Sequence, residues 1–329
     1  MLSTDLIPAA MVASAIAPAV LLLWFVVAAD SRPEPPWLVL TAVGLGALCV
    51  GVAYVLETWL QRVVPISHIP WLNAGEDALL FAAIPEETVK ILIIAAIALR
   101  ARDFDEPMDG IVYGAAVGLG FAALENVIYL VRVHTDWASM ALLRGMLSVP
   151  FHGALGAIAG AYIARVRFGS VLRGHGEGRW RRRHLFLLAW LVPVVLHTAY
   201  DALLSSMPDR DSATPESADA TTVWNLAFLI AFCTILAARK MALRIADRQK
   251  AWLQTKRLPL VHWRVVWAQC LFSAGLSCVA LTLVIAGNLT AIVAGWILMA
   301  MTVGFSWKCA TRLSEAAKQR HAPAVVLAP

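Results

Sequence analysis

Apolar stretches of about 20 residues, each enough to cross a hydrocarbon core of roughly 30 Å, recur nine times along this chain. They fall near 8–29, 37–56, 78–99, 110–131, 139–165, 185–204, 222–238, 265–287 and 290–307. No alternation of polar and apolar residues competes with them, so the expected class is all-α: a polytopic membrane protein with about nine transmembrane helices. A soluble globule is excluded, because 60% of the 329 residues are hydrophobic and only 15% charged, more apolar surface than a folded domain hides without lipid. The first stretch is expected to be a retained helix, since no Lys or Arg precedes it and its apolar run exceeds that of a signal peptide.

The net charge of +5 is read by position before it is read as a hint of nucleic acid, and no nucleic-acid partner is expected. With the N-terminus outside, the inner loops carry Arg32, Arg100, Arg102, the arginines from Arg165 to Arg183, the Lys/Arg-rich run from Arg239 to Arg264, and Lys308, Arg312, Lys318 and Arg320. The outer side then keeps only Arg62, Arg132, Arg144 and Arg210. The positive-inside rule therefore predicts the N-terminus outside and the C-terminus cytoplasmic. Arg239–Arg257 reads as a basic helix with Met241, Ile245 and Trp252 facing the inner leaflet. The five cysteines form no C-x-x-C pair and read as small buried hydrophobes, not as a disulfide or metal framework.

Charge inside the membrane is confined to four consecutive segments. The third holds Glu86, Glu87 and Lys90, the fourth Glu125, the fifth His152, and the sixth His197 with Asp201, whereas the interiors of the other five segments carry no ionisable residue. Each such group costs on the order of 2–3 kcal/mol to place centrally, which favours a functional reason for keeping them. Counted from the outer ends, Glu86, Glu125 and His197 lie roughly 9–12 Å deep and His152 roughly 20 Å, or less if its helix starts later, a similar outer-half level that predicts one shared polar pocket. The i, i+4 and i, i+3 spacings let Lys90 pair with Glu86 or Glu87, leaving one carboxylate to act as an acid or base. His197 and Asp201 repeat the i, i+4 spacing, so the carboxylate can fix the imidazole tautomer. Pro85 and Pro193 remove backbone donors beside these groups. Gly110, Gly114 and Gly118, with Gly156 and Gly160, read as stripes for close helix packing.

At these residues the sequence resembles the PrsW family of bacterial intramembrane proteases, part of the wider group of CAAX-prenyl endopeptidases and bacteriocin-processing enzymes. The resemblance rests on Pro85-Glu86-Glu87-Thr88-Val89-Lys90 (E-E-x-x-K), Asp105-Glu106-Pro107-Met108-Asp109-Gly110, Phe121-Ala122-Ala123-Leu124-Glu125-Asn126 (F-x-x-x-E), Phe151-His152 and His197-Thr198-Ala199-Tyr200-Asp201 (H-x-x-x-D). It implies a multi-pass protein of the bacterial plasma membrane that cleaves membrane-anchored proteins, including, for PrsW-like members, first-step cleavage of an anti-sigma factor on the outer side. The expected partners are thus the lipid bilayer and a single-pass membrane protein substrate. The expected division is 1–77 as two helices and an outer loop, 78–204 as a four-helix catalytic core, 205–221 as an outer loop, and 222–329 as three further spans with a basic loop and tail.

Hydrolysis of a peptide bond needs a base for water and donors for the oxyanion. The expected roles are Glu86 as base, Glu87 with Lys90 as its electrostatic partner, His197 held by Asp201 as oxyanion donor or proton shuttle, and Glu125 and His152 as supporting groups. No cofactor is required on this reading. A zinc version also stays open, with His152, His197 and a carboxylate as ligands and Glu86 as base, although no H-E-x-x-H is present. Two rival functions use the same groups: a non-catalytic scaffold of the same fold that binds transmembrane segments, and a proton-coupled transporter, which lacks support from an obvious internal repeat.

Overall fold

The structure, a computed structural model, describes residues 7–30, 32, 34–66, 69–133, 137–172, 182–206 and 218–256. The expected segments 265–287 and 290–307 and most of the 205–221 loop lie outside the described residues. Among the described residues there is no strand, and the elements in order are α1 (Ile7–Ala29), α2 (Pro36–Val63), α3 (Pro70–Ala78), a π-helical turn (Leu79–Ala83), α4 (Ile84–Arg100), α5 (Pro107–Arg132), α6 (Trp137–Met146), α7 (Ser148–Leu172), α8 (Arg182–Ser205) and α9 (Ala218–Lys256). Six stretches are long and apolar enough to cross a membrane: Ile7–Val27, Pro36–Val63, Pro107–Arg132, Met140–Leu172, Arg182–Ser205 and Asn225–Leu253. The chain is thus an all-α multi-pass membrane protein. α4 is not among the six: it is 17 residues long and carries Glu86, Glu87 and Lys90 in its first two turns.

α5 and α7 form the centre of the bundle and bury most of their faces. Glycine explains how close they come. A Cβ at Gly118 would lie 2.3 Å from the His152 carbonyl oxygen, one at Gly114 2.2 Å from that of Gly156, and one at Gly160 1.7 Å from that of Gly110, so backbone rests on backbone along the whole seam. α2 docks on the other side of α5 in the same way, with Gly46 against Val117 and Gly120 against Val43. Around this sandwich Ile94, Ile111, Tyr113, Leu119, Ile158 and Ile163 fill the main core with residues of α1 and α9. The outward faces of α2, α8 and α9 stay apolar, with Leu48, Val55, Leu187, Val195, Phe228 and Phe232 exposed as a lipid-facing surface requires.

Four local expectations are corrected. The fifth segment is two helices, not one: Gly145 and Pro150 flank a break at Leu147, and a proline without an N–H is tolerated only in a first turn. His152 therefore lies on the second turn of α7, not roughly 20 Å along a helix. α2 runs on to Val63, so Glu57, beyond the expected end of that segment, belongs to the helix. The basic stretch after residue 238 continues α9 without a break; Ile245 is buried, Met241 packs against the main core and Trp252 is half-buried, so this face meets the bundle and not the leaflet.

The Asp105–Gly110 motif lies at the opposite end of α5 from Glu125, about 24 Å away along the helix. There it is a structural tie. Glu106 and Asp109 form a reciprocal capping box, with the Glu106 N–H donating to Asp109 Oδ2 at 2.6 Å. The buried Gln249 of α9 donates to Glu106 Oε2 at 2.5 Å and accepts from the Met108 N–H at 2.7 Å, Arg32 pairs with Glu106, and Tyr113 donates to Glu34 Oε2 at 2.5 Å.

Candidate functional site

The π-helical turn prepares the first carboxylates. Ile84 N–H reaches back to the Leu79 carbonyl, five residues away, and Pro85 brings no donor for the Phe81 carbonyl, so the helix is locally widened just before Glu86 and Glu87. Pro193 likewise leaves the Ala189 carbonyl without its helical donor one turn before His197.

All seven residues singled out in the sequence meet. The Lys90 ammonium is buried at their centre, 3.0 Å from Glu86 Oε2, 2.8 Å from Glu87 Oε1 and 3.1 Å from His152 Nδ1, and 3.7 Å above the centre of the Phe121 ring. Since an ammonium can only donate, His152 Nδ1 accepts and its proton sits on Nε2, which faces Glu125 Oε2 at 3.3 Å. His197 closes the other side, with Nδ1 2.9 Å from Glu87 Oε1 and Nε2 3.1 Å from Asp201 Oδ2 and 3.9 Å from Glu86 Oε2. The two imidazoles stand edge to face with centroids 5.1 Å apart.

A cavity of about 880 Å³ opens beside this cluster, at the end of the bundle where α2, α5 and α8 finish and α7 begins. Glu86, Glu125, His152, His197 and Asp201 line it; Glu87 and Lys90 do not, and stand behind Glu86 as its support. The two glutamates, adjacent in sequence, thus have different surroundings: one faces the cavity, the other is enclosed between an ammonium and an imidazole.

Glu86, Glu87, His152 and His197 each present a donor atom within 4.8 Å of the others, and imidazole and carboxylate are the ligand types of a catalytic zinc. An ammonium already competes for these donor atoms, however. Lys90 occupies the space between Glu86, Glu87 and His152 Nδ1, and both nitrogens of His197 face carboxylates. A divalent cation needs the place that the ammonium holds, so the four residues in this arrangement do not fit a metal.

Four charged groups of the cavity wall, Glu57, Asp77, Arg132 and Arg144, escaped the sequence reading. Glu57, half-buried on α2, faces the cavity although its segment was expected to carry no interior charge. Arg144 of α6, expected as an outer-loop cation, turns inward to Glu125 and Asn126. Gly145 and Pro150 were the available signs that the chain breaks near it; Glu57 left no sign beyond its position one residue past the apolar run.

Comparison with known proteins places the chain in a family. A family profile described as PrsW family intramembrane metalloprotease matches residues 34–238, from the first loop through the first part of α9. Proteins called Protease PrsW are similar: that of Bacillus subtilis is 32% identical over 204 residues, 60% of this chain and 84% of the relative, and that of Oceanobacillus iheyensis 30% identical over 197 residues, 57% and 80%. The Geobacillus kaustophilus protein is 34% identical over 163 residues, 46% of this chain and 67% of the relative. No solved structure matches. The matched span contains every residue of the Lys90-centred cluster, and on this ground the chain belongs to the PrsW family of intramembrane proteases.

Proposed function

We propose that this protein is an intramembrane endopeptidase that hydrolyses a peptide bond of a membrane-anchored protein with water activated by a carboxylate. The observation that carries the reading is that Glu86 and His197 face one cavity while Glu87 and Lys90 are fixed behind them. Glu86 takes a proton from a water molecule as its oxygen adds to the scissile carbonyl carbon. His197, its Nδ1 held by Glu87, turns its Nε2 proton from Asp201 to the oxyanion that forms, and the proton held by Glu86 passes to the departing amine as the C–N bond breaks. Lys90 supplies the positive charge that keeps the carboxylate pair together, so no step is assigned to a metal. Glu125 and His152 line the wall of the same cavity.

The substrate class follows from the setting. A cavity of about 880 Å³ is large enough to enclose a short peptide segment, and the ring of apolar helix faces around it suits a substrate held by a single membrane span. With the N-terminus outside, as the distribution of Lys and Arg predicts, the cavity opens toward the outer face. An anti-sigma factor is the substrate that the resemblance suggests.

Wild type and Glu86→Gln, reconstituted in liposomes with a single-pass test substrate and a chelator present throughout, test this reading. Wild type is expected to cleave and the variant to lose cleavage by at least about a hundredfold. Absence of cleavage by wild type, or equal cleavage by both, overturns the proposal, and a scaffold or transporter role then gains support.

A further inference from the structure

Arg144 is placed by α6, the short helix created by the break at Leu147, and its side chain is only 15% exposed. It makes three contacts with one face of α5. One guanidinium nitrogen stands 2.5 Å from Glu125 Oε2, Nε donates to Asn126 Oδ1 at 2.6 Å, and the guanidinium carbon lies 3.8 Å above the centre of the Tyr129 ring. The planar fork that reaches Glu125 and Asn126 together while lying on the Tyr129 ring is a geometry that lysine does not reproduce. Asn126 shows what the arrangement costs: it is fully buried, and with Oδ1 turned to Arg144 its Nδ2 has no partner among the described residues. Glu125 Oε2, the oxygen that Arg144 holds, is also the one facing His152 Nε2 at 3.3 Å. A continuous path therefore runs from Arg144 through Glu125 and His152 to Lys90.

We propose that Arg144 is a positioning residue of this site: held by Asn126 and Tyr129, its guanidinium fixes Glu125 against His152 and so orients the imidazole that faces Lys90. The inference rests on the protease reading for its kinetic consequence, but its structural consequence stands alone. Without the guanidinium, Glu125 is free to turn away from His152, the Nε2 proton loses its acceptor, and the imidazole is held by Lys90 at Nδ1 alone. Arg144 itself needs no contact with the substrate.

The test combines kinetics with a direct reading of the imidazole. Arg144→Ala, Arg144→Lys, Glu125→Gln and the Arg144→Ala/Glu125→Gln double variant are reconstituted with the test substrate, and ¹⁵N-imidazole spectra of His152 are recorded for each in detergent. Arg144→Ala is expected to lower kcat about tenfold or more with KM within about twofold, to regain part of that loss on addition of guanidinium ion, and to give no further loss in the Glu125→Gln background. Its His152 Nε2–H signal is expected to shift as the hydrogen bond to Glu125 is lost, with Arg144→Lys in between, while Nδ1 still accepts from Lys90. Wild-type kcat in Arg144→Ala, full additivity with Glu125→Gln, or an unchanged His152 Nε2–H signal overturns the inference. If wild type itself does not cleave, the protease reading fails, and the His152 spectra still decide the role of Arg144.

Discussion

Lys90→Met removes the charge at the centre of the site while keeping a chain of similar length and apolar character. The structure sets the size of the effect. The ammonium, 1% exposed, stands 3.0 and 2.8 Å from two carboxylates that are themselves buried, so its loss leaves two negative groups side by side with no counter-charge in the gap. Breaking one partner out of a buried pair costs about 3–5 kcal/mol, and here one cation serves two acids, which places Lys90→Met at the upper end. Adding Glu87→Gln removes one of the stranded charges, so the double variant is expected to recover a large part of the loss, the non-additivity that directly contacting groups show. The assay is reversible unfolding of the purified protein in mixed detergent, followed by tryptophan fluorescence. The same preparations carry a second readout, because removing the ammonium frees Glu86, Glu87 and the Nδ1 lone pair of His152 for a cation. After incubation with zinc and desalting, Lys90→Met is expected to retain metal approaching one ion per chain, and wild type well below that. Lys90→Met with wild-type stability, or wild type retaining as much zinc as the variant, refutes the reasoning that the ammonium is the resident cation of this cluster.

Two further outcomes test the scaffold around the site. Gly118→Ala puts a Cβ 2.3 Å from the His152 carbonyl oxygen, where only backbone can yield, and is expected to cost about 1–3 kcal/mol and to lower cleavage; Gly44→Ala, with nothing within 4 Å, is the neutral control, and equal unfolding curves for the two count against the seam. At the other end of the bundle, burial, with Asp30 and Asp105 adding to it and Asp109 and Tyr113 opposing it, pushes Glu34 up from an ordinary 4.5 to about 8. The folded chain keeps a proton there that the unfolded chain releases, so this group's contribution to stability is full below about pH 4.5, falls as the pH rises toward about 8, and levels off above that. Glu34→Gln is expected to remove that decline, gaining on wild type by a few kcal/mol, at about 1.4 kcal/mol per unit of pH, between pH 5 and 8.5 in the same unfolding assay. A constant difference between the two proteins across that range counts against it.

The parts of this molecule that were legible in the sequence are those written in local spacing. Lys90 finds Glu86 and Glu87, and His197 finds Asp201, because i, i+3 and i, i+4 partners share a helix face whatever the fold. The bundle was legible because apolar runs of membrane length have few alternatives. That His152 stands against Lys90, and that Glu87 bridges to His197, are contacts between residues 62 and 110 positions apart, and no spacing rule encodes them. Element ends were hidden for a related reason. Glu57 lies beyond the apolar run but within the helix, since hydropathy marks where lipid ends and not where backbone hydrogen bonding does. The π-helical turn before Glu86 left only Pro85 as a trace, as an extra residue in one turn changes no side-chain pattern long enough to detect.

The backbone seam that joins α2, α5 and α7 also has a mechanical meaning. Where carbonyl oxygens meet glycine Cα atoms there are no side chains to change rotamer, and hence no soft layer along which one helix can slide on another. Glu125 and His152 are thereby bolted to a common chassis. The remaining groups come from elements outside it, with His197 and Asp201 on α8 and Arg144 on α6. The cavity thus has one wall, carrying Glu125 and His152, that is set by backbone against backbone, and another, carrying His197 and Asp201, that joins it through side chains.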